Sequence, residues 1–507
     1  MSSIVVVGDT AHTPSTGRRR VVAALMLVMA LAAMDSTVIS TCIPQIVSDL
    51  GGFAYFGWLF AGYLLAVTVM LPVYGKLADI FGRKQVLIVG VVVFLLGSGL
   101  CSATWSMASL IAFRVLQGLG GGAIQGLVQT IAGDLYTKQE RGKIQAALST
   151  VWVSAALAGP ALGGIFVTYL SWRWVFLVNL PLGIFALARV IRHLPDDRTR
   201  RTGVRIDWLG AIGVFAATGL FLVALTQLGT TSWRSAGVLT PLAGAAVSCL
   251  ATVLIESRAA QPIIPGWVWR RPVIAAANIA MFALGVVATA PALILPTYGQ
   301  AVLRLSPVEA GFLLAVLMVS WPLSAAFVNR AYLRIGFRDT ALFGVGGAVI
   351  ATLLFALLPV RPLWQPAAIM LLLGVALGFF QPPLIVGVQS TVNWGERATA
   401  TSSIVFWRQL GQSSSAALFG AIVNDSLNAQ RSLRGQVNVS ASTGAFSSVL
   451  GHRQSAGSPI AQALSHAIAT AASHIFLAAA AAGLIAFGTL LFLAPRQFPA
   501  PEVGEDR

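Results

Sequence analysis

Apolar residues in this chain come in runs of about twenty, each long enough to carry a helix through a hydrocarbon layer roughly 30 Å thick. Polar residues are largely confined to the breaks between the runs. Few folds are compatible with that pattern. In lipid every backbone N–H and C=O must be satisfied within its own segment, so such runs fold as helices, whereas membrane strands would alternate apolar and polar residues. Composition points the same way: 57% of the residues are hydrophobic and 10% charged, against about a quarter charged in soluble domains.

The runs predict fourteen spans, at 21–43, 54–75, 85–104, 107–133, 144–169, 174–192, 207–228, 236–256, 272–296, 308–329, 340–359, 364–391, 398–423 and 469–494. Arg18, Arg19 and Arg20 precede an apolar stretch containing Ala30, Leu31 and Ala32, which mimics a cleaved secretory signal. Apolar character continues to Ile43, so the segment reads as a retained span. The expected organisation is a tail over 1–20, a six-helix half over 21–192, linkers with two extra spans over 193–271, a second six-helix half over 272–494 that includes an external loop at 424–468, and a tail over 495–507.

The charges test this count. Of the 33 Lys and Arg residues, 24 fall in the two tails and the even-numbered loops, 7 in the odd-numbered loops, and Arg114 and Arg408 lie inside spans. Basic residues favour the cytoplasmic side, so both termini are expected there, in a multi-pass protein of the cytoplasmic or inner cell membrane. A net charge of +16 would suggest nucleic acid for a soluble chain. Here it orients the protein, and no nucleic-acid partner is expected. The richest loop, Arg189 to Arg205, also holds Pro195, Asp196 and Asp197 and reads as a solvated linker between halves.

A shift of 256 residues superimposes Gly118 and Gly122 on Gly374 and Gly378, Gln125 on Gln381, Glu140 and Arg141 on Glu396 and Arg397, and Gly164 on Gly420. The seventh and eighth spans lie outside this repeat, giving six plus two plus six.

Among the 17 acidic residues only Asp35 lies deep within a span. A charged group at a helix centre costs about 2.5 to 3.5 kcal/mol on insertion scales and usually marks an ion pathway; the alternative is a structural carboxylate bonded between helices. Asp35 is eight residues from the outer end of its span, about 12 Å at 1.5 Å per residue. Arg114 enters from the same surface to about 11 Å, close enough in depth for direct or water-mediated contact with Asp35. A conformational change at such a pair would drive proton uptake and release; the alternative is a purely structural ion pair. Arg408 lies about 15 Å deep in the thirteenth span, with no second deep carboxylate to pair it.

Gly118, Gly122 and Gly126, and Gly159 and Gly163 around Pro160, put small residues at helical spacing for close helix packing. Gly118, Gly120 and Ala123 match G-x-G-x-x-A by chance, with no strand before them. No P-loop occurs, so the chain is not expected to bind ATP itself, no cofactor is expected, and the energy is expected from a gradient or a partner. Cys42, Cys101 and Cys249 have neither metal nor disulfide spacing. No nucleophile, base and orienter occur together, and His12, His193, His452, His466 and His474 are scattered, so an enzyme is not expected.

Gly75, Leu77, Ala78, Asp79, Gly82, Arg83 and Lys84 resemble the cytoplasmic signature of the major facilitator superfamily. Arg114, Gln117 and Gly118 resemble its fourth-span motif, and Gly159, Pro160, Gly163 and Gly164 the fifth-span motif of antiporters. Met34, Asp35, Ser36 and Thr37 through Ile43 and Pro44, with Trp172, Arg173, Trp174, Phe176, Asn179 and Pro181, are similar to stretches of the fourteen-helix drug:proton antiporter family. Two positions depart from the pattern: Ile80 stands where a basic residue is common, and the second-half copy from Asn329 to Arg338 has Leu333 in place of Asp79.

The resemblance implies an all-α integral membrane protein of major facilitator fold, with two six-helix halves, two extra central helices and 14 transmembrane helices in all. It implies a proton-coupled antiporter that exports drugs or other bulky amphiphilic compounds, with Asp35 and Arg114 handling the proton. Gly75, Asp79, Gly82, Arg83, Lys84, Asp134 and Arg141 would gate the cytoplasmic side. Tyr63, Gln125, Gln129, Trp152, Trp321, Phe380, Gln381, Trp407 and Arg408 are candidates for the substrate cavity; the alternative is lipid-facing or core packing for the aromatic and amide side chains, and contact with water or another helix for Arg408. The expected partners are a small amphiphilic substrate, protons and the lipid bilayer, around a monomer. Two other readings stand beside this one: an exporter of a lipid or self-made metabolite with the same proton chemistry, and a membrane sensor without transport.

Overall fold

The structure, a computed structural model, describes residues 15–50, 57–136, 138–195, 207–228, 234–259, 262, 265–305, 307–358, 364–428 and 459–498. Each of the fourteen apolar runs coincides with a helix of 15 residues or more. Eleven of those helices carry a described stretch long and apolar enough to cross a membrane. The other three are α5 (Lys138–Tyr169), α8 (Trp208–Leu228) and α15 (Arg397–Asn428). In α5 and α8 the described apolar stretches are shorter, Ile144–Ala155 and Leu209–Leu225. In α15 the reason is chemical: Ser402, Ser403, Arg408, Gln409 and Gln412 to Ser415 interrupt it.

The first six runs form α1 (Ser15–Leu50), α2 (Gly57–Phe81), α3 (Arg83–Ser102), α4 (Met107–Leu135), α5 and, for the sixth, a four-residue α6 (Trp174–Leu177) that breaks at Val178 before α7 (Asn179–His193). α8 and α9 (Ala236–Glu256) follow. After a short α10 (Trp267–Arg270), the chain continues through α11 (Pro272–Ala301), α12 (Pro307–Ile335), α13 (Phe337–Leu357), α14 (Trp364–Thr391), a 3-10 turn at Trp394–Glu396, α15 and α16 (Pro459–Phe492).

Packing repeats between the two groups of helices. α4 packs on α2 and α3, and α1 on α5; correspondingly α14 packs on α12 and α13, and α11 on α15. Lipid tails are as apolar as leucine, so close fit rather than hydrophobic exclusion holds membrane helices together, and small residues permit it. A Cβ on Gly118 would lie 2.5 Å from the Tyr63 carbonyl of α2, and one on Gly122 2.8 Å from that of Val67. In the second group Gly374 and Gly378 stand in the same way 2.8 and 2.7 Å from the carbonyls of Leu317 and Trp321 on α12. Gly82 and Gly336, at φ 91° and 90°, make equivalent turns after α2 and α12, in a region only glycine enters readily. Each group has its own apolar core, one from Val21 through Leu194 and one from Val268 through Ala494. α8 and α9 pair with each other, and α8 rests on α2 and α15, where Leu222 meets Leu71 and Val405.

Several boundaries read from sequence shift. The helix beginning at Ser15 takes in the end of the expected 1–20 tail, because Arg18 to Arg20 are good helix formers ahead of an apolar run. The expected loop 424–468 is shorter at both ends: α15 continues to Asn428 and α16 starts at Pro459, where proline suits a first helical turn. The intervening 429–458 and most of the basic linker, 196–206, lie outside the described residues.

Candidate functional site

Asp35 is buried at the join of α1, α4 and α7. Arg114 Nη1 donates to its Oδ2 at 2.5 Å, Gln117 Nε2 to its Oδ1 at 2.8 Å, and Asn179 Nδ2 to the same oxygen at 3.1 Å. Arg114 is itself held by the Gln117 Oε1 atom at 2.8 Å and the Leu59 carbonyl at 3.3 Å, with its guanidinium 4.2 Å from the Tyr63 ring centre. Asn179 also donates to Ser98 Oγ at 3.0 Å, and Ser98 to the Phe176 carbonyl at 2.9 Å. A buried ion pair is tolerated only when further hydrogen bonds satisfy its charges; here both Asp35 oxygens and two of the three Arg114 nitrogens are engaged, while Arg114 Nη2 is buried without a hydrogen bond.

Local packing explains how the groups converge. Arg114 and Gln117 are three residues apart on α4, so they share a face. A Cβ on Gly97 would sit 2.5 Å from the Gln117 backbone, so glycine is what lets α3 press against α4 at that turn. The break at Val178 ends α6 and makes Asn179 the first residue of α7, which turns its amide into the cluster. Sequence reading paired Asp35 with Arg114 but gave Gln117, Asn179, Ser98 and Tyr63 no part in the proton site. Gln117 and Asn179 had a readable signal, as amides inside otherwise apolar runs. Ser98 had none.

A second cluster joins the two helical groups at the opposite end of α2 and α4. Asp79 accepts from Ala398 N at 3.1 Å and from Thr399 N and Oγ1 at 2.7 Å each, capping α15. Arg83 pairs with Asp134 at 2.6 Å and Asp79 at 3.8 Å, donates to the Trp394 carbonyl at 2.7 Å, and stacks 3.9 Å from the Trp394 ring centre. Arg397 reaches the other Asp134 oxygen at 2.6 Å, and Arg271 pairs with Glu396 at 2.8 Å. Gly75 lets the helices cross, since a Cβ there would meet Ser402 Oγ at 2.6 Å and the Ala398 carbonyl at 3.0 Å. Gln389 of α14 extends the join to the Gln129 carbonyl of α4 at 3.4 Å. Of the expected gating residues, Gly75, Asp79, Gly82, Arg83 and Asp134 meet here. Lys84 makes none of these contacts, and the Arg141 side chain lies outside the described residues. Trp394 is a partner the sequence did not disclose.

The remaining candidates scatter. Gly159 faces α1, where a Cβ would stand 3.2 Å from Val38 N, and the Gly163 carbonyl accepts from Cys42 Sγ at 3.8 Å. The surroundings of Pro160 and Gly164 within α5 are not among those described. Tyr63 backs Arg114 and is wholly buried. Phe380 is wholly buried in the second core, and Trp321 packs against the same core. Trp152 packs against the first core. Trp407 is edge-on to Trp269, Phe282 and Phe406, with ring centres 5.4, 6.3 and 5.6 Å away. Gln125, Gln129 and Gln381 are buried, and Arg408 is half-buried.

The sequence matches the family model of the Major Facilitator Superfamily over residues 25–416. The chain belongs to the Major Facilitator Superfamily. Within that superfamily it is 30% identical over 496 residues to multidrug resistance protein 3 of Bacillus subtilis, covering 96% of this chain and 97% of that protein. An efflux pump of Dothistroma septosporum is 31% identical over 428 residues, 82% of this chain and 73% of that one. Superfamily structures share the fold: the human organic anion transporter MFSD10 aligns with a TM-score of 0.63 at 15% identity, over 94% of this chain and all of that one. The proton:xylose symporter XylE aligns at 0.61 and 12% identity, over 96% and 98%. This chain is therefore a multi-pass membrane transporter.

Proposed function

We propose that this transporter exports bulky amphiphilic compounds, drugs among them, in exchange for protons, with Asp35 as the proton carrier. The observation that carries the reading is the saturated carboxylate: Asp35 gathers Arg114, Gln117 and Asn179. Neutralising it would strip Arg114 of its counter-charge and loosen three helices together, so proton binding becomes a change in helix packing. Relatives named for multidrug resistance and efflux support export as the direction.

The excess of basic residues in the loops on that side supports a cytoplasmic position for the Asp79 cluster. With that end latched, the conformation is one closed to the cytoplasm, and Asp35 takes its proton from outside. Release follows when the latch parts and the halves rock the other way. The Asp35 network then re-forms around an ionised carboxylate as the substrate leaves on the outer side.

Proteoliposomes with an imposed pH gradient test this. Addition of an amphiphile panel spanning cationic, neutral and anionic members should dissipate the gradient in the native protein and leave it intact in Asp35→Asn. Equal responses from both would put the proton site elsewhere, and silence from the native protein would remove the antiport reading.

A further inference from the structure

Arg408 is the one deep charge that the proton cycle does not use. It lies eleven residues beyond the start of α15 at Arg397, about 16 Å along the helix at 1.5 Å per residue. No hydrogen bond or ion pair joins its side chain to any described residue, and its Nε is buried without a partner. The residue is nevertheless half-buried rather than sealed, so part of its side chain stays accessible.

Helical geometry says which way it faces. At 100° per residue Arg408 shares a face with Thr401, Val405 and Gln412. Thr401 meets Gln389 of α14 at 3.2 Å, and Gln389 reaches α4. That face therefore looks along the seam between the helical groups, with Arg408 about three turns above the latch. The Val405 edge of that face, with Phe406 and Leu410, packs against Leu71 of α2 and Leu222 of α8, and Gly411 meets the Phe282 carbonyl of α11. Gln412, one turn beyond Arg408, is also half-buried, with a side chain that bonds to no described residue. At comparable depth the sole described carboxylate is Asp35, whose oxygens are already engaged.

We propose that Arg408, with Gln412 beside it, anchors a substrate subsite for amphiphiles carrying a single anionic group such as a carboxylate or sulfonate. The inference rests on the transport reading above and specifies its substrate class. A planar guanidinium offers paired N–H donors that match a carboxylate, and a seam that holds one free positive charge and no free negative one disfavours a lipophilic cation. The same headgroup chemistry would accept a free organic anion or the phosphate of a lipid.

The test is equilibrium binding to the full chain in nanodiscs of zwitterionic lipid, using 2-naphthoate, its neutral carboxamide and the matching naphthylmethylammonium. The native protein should prefer the carboxylate over the carboxamide by roughly tenfold to a hundredfold, the range of a charge-assisted hydrogen bond. Arg408→Gln should bring that ratio to about one while still binding the carboxamide, and Arg408→Lys should restore part of it. Lysophosphatidylglycerol as competitor separates the sources: Arg408-dependent displacement of naphthoate assigns the site to a lipid headgroup, and its failure to compete assigns it to free organic anions. A native protein without headgroup preference, or with one for the cation, overturns the proposal, as does an unchanged ratio in Arg408→Gln. Asp35→Asn should keep the preference, so an anion site without coupled proton flux would refute antiport alone, and coupled flux without preference would refute the anion site alone.

Discussion

Asp79→Asn probes the latch with little change in shape. In the native chain the carboxylate accepts three hydrogen bonds from the first residues of α15, two of them at 2.7 Å. The amide keeps one acceptor oxygen and turns an N–H₂ group towards a backbone donor. Hydrogen bonds to a charged group contribute about 1.5 to 3 kcal/mol, and neutral ones about half that. The negative charge at a helix N-terminus contributes a further ~0.3 to 1 kcal/mol. Arg83 keeps its pair with Asp134 and its place over Trp394, so no charge is stranded. The net loss is about 2 to 4 kcal/mol, all of it borne by the conformation in which the two groups meet. At 1.4 kcal/mol per tenfold, the latched fraction relative to the open one falls by roughly 30-fold to several hundredfold. Spin labels at Phe81 and Ile335, exposed at the ends of α2 and α12, would read this as a longer-distance population in a background free of the three native cysteines. A distance distribution unchanged by Asp79→Asn would mean that the cap does not hold the halves together.

Removing one partner of the buried pair should cost far more than removing both. Arg114→Gln is expected to destabilise the protein by about 3 to 5 kcal/mol, because Asp35 is then a buried charge without its cation, and adding Asp35→Asn should recover much of that loss; thermal melts of the two single variants and the double variant in detergent give the coupling. Gly97→Val forces a branched side chain against the Gln117 backbone. Overpacking of this kind costs about 1 to 3 kcal/mol, and here it should also lower proton-coupled uptake in proteoliposomes more than Gly99→Val, since a Cβ on Gly99 meets nothing closer than Leu180 at 3.8 Å.

The elements were legible where one physical rule dominates. An apolar run of about twenty residues has a single solution in lipid, so helix positions followed from hydropathy. The helix ends did not, because extension beyond the bilayer at Ser15 or Pro459 depends on helix propensity in water, which hydropathy does not encode. Asp35 and Arg114 stood out because charge within a span is costly and rare. The hydroxyl behind them did not: Ser98 is one serine among many, and only the crossing of α3, α6 and α7 makes it the link between Asn179 and the Phe176 carbonyl. Trp394 was hidden for a related reason. Its contact with Arg83 joins residues 311 apart in sequence and exists only when the two helical groups meet.

The two clusters are mechanically one device because they share helices. α4 carries Arg114 and Gln117 near one end and Asp134 near the other, with Arg114 and Asp134 20 residues apart, or about 30 Å along the helix at 1.5 Å per residue. α2 likewise presents Leu59 and Tyr63 to the Arg114 site and Asp79 to the latch. Coupling between distant sites requires an element with two discrete positions that both sites bias. α2 packs closely against α4 through Gly118 and Gly122, so a change in charge at Asp35 and the breaking of the Asp79 and Asp134 contacts would act on the same closely packed pair of helices. The second group of helices has Met370 in the position related by the repeat to Arg114 and carries no carboxylate at that depth. It therefore contributes the passive side of the latch, the N-terminus of α15 and Trp394, together with the free guanidinium of Arg408. On the readings proposed above, proton handling and substrate recognition would sit on opposite halves, and rocking the halves would tie one to the other.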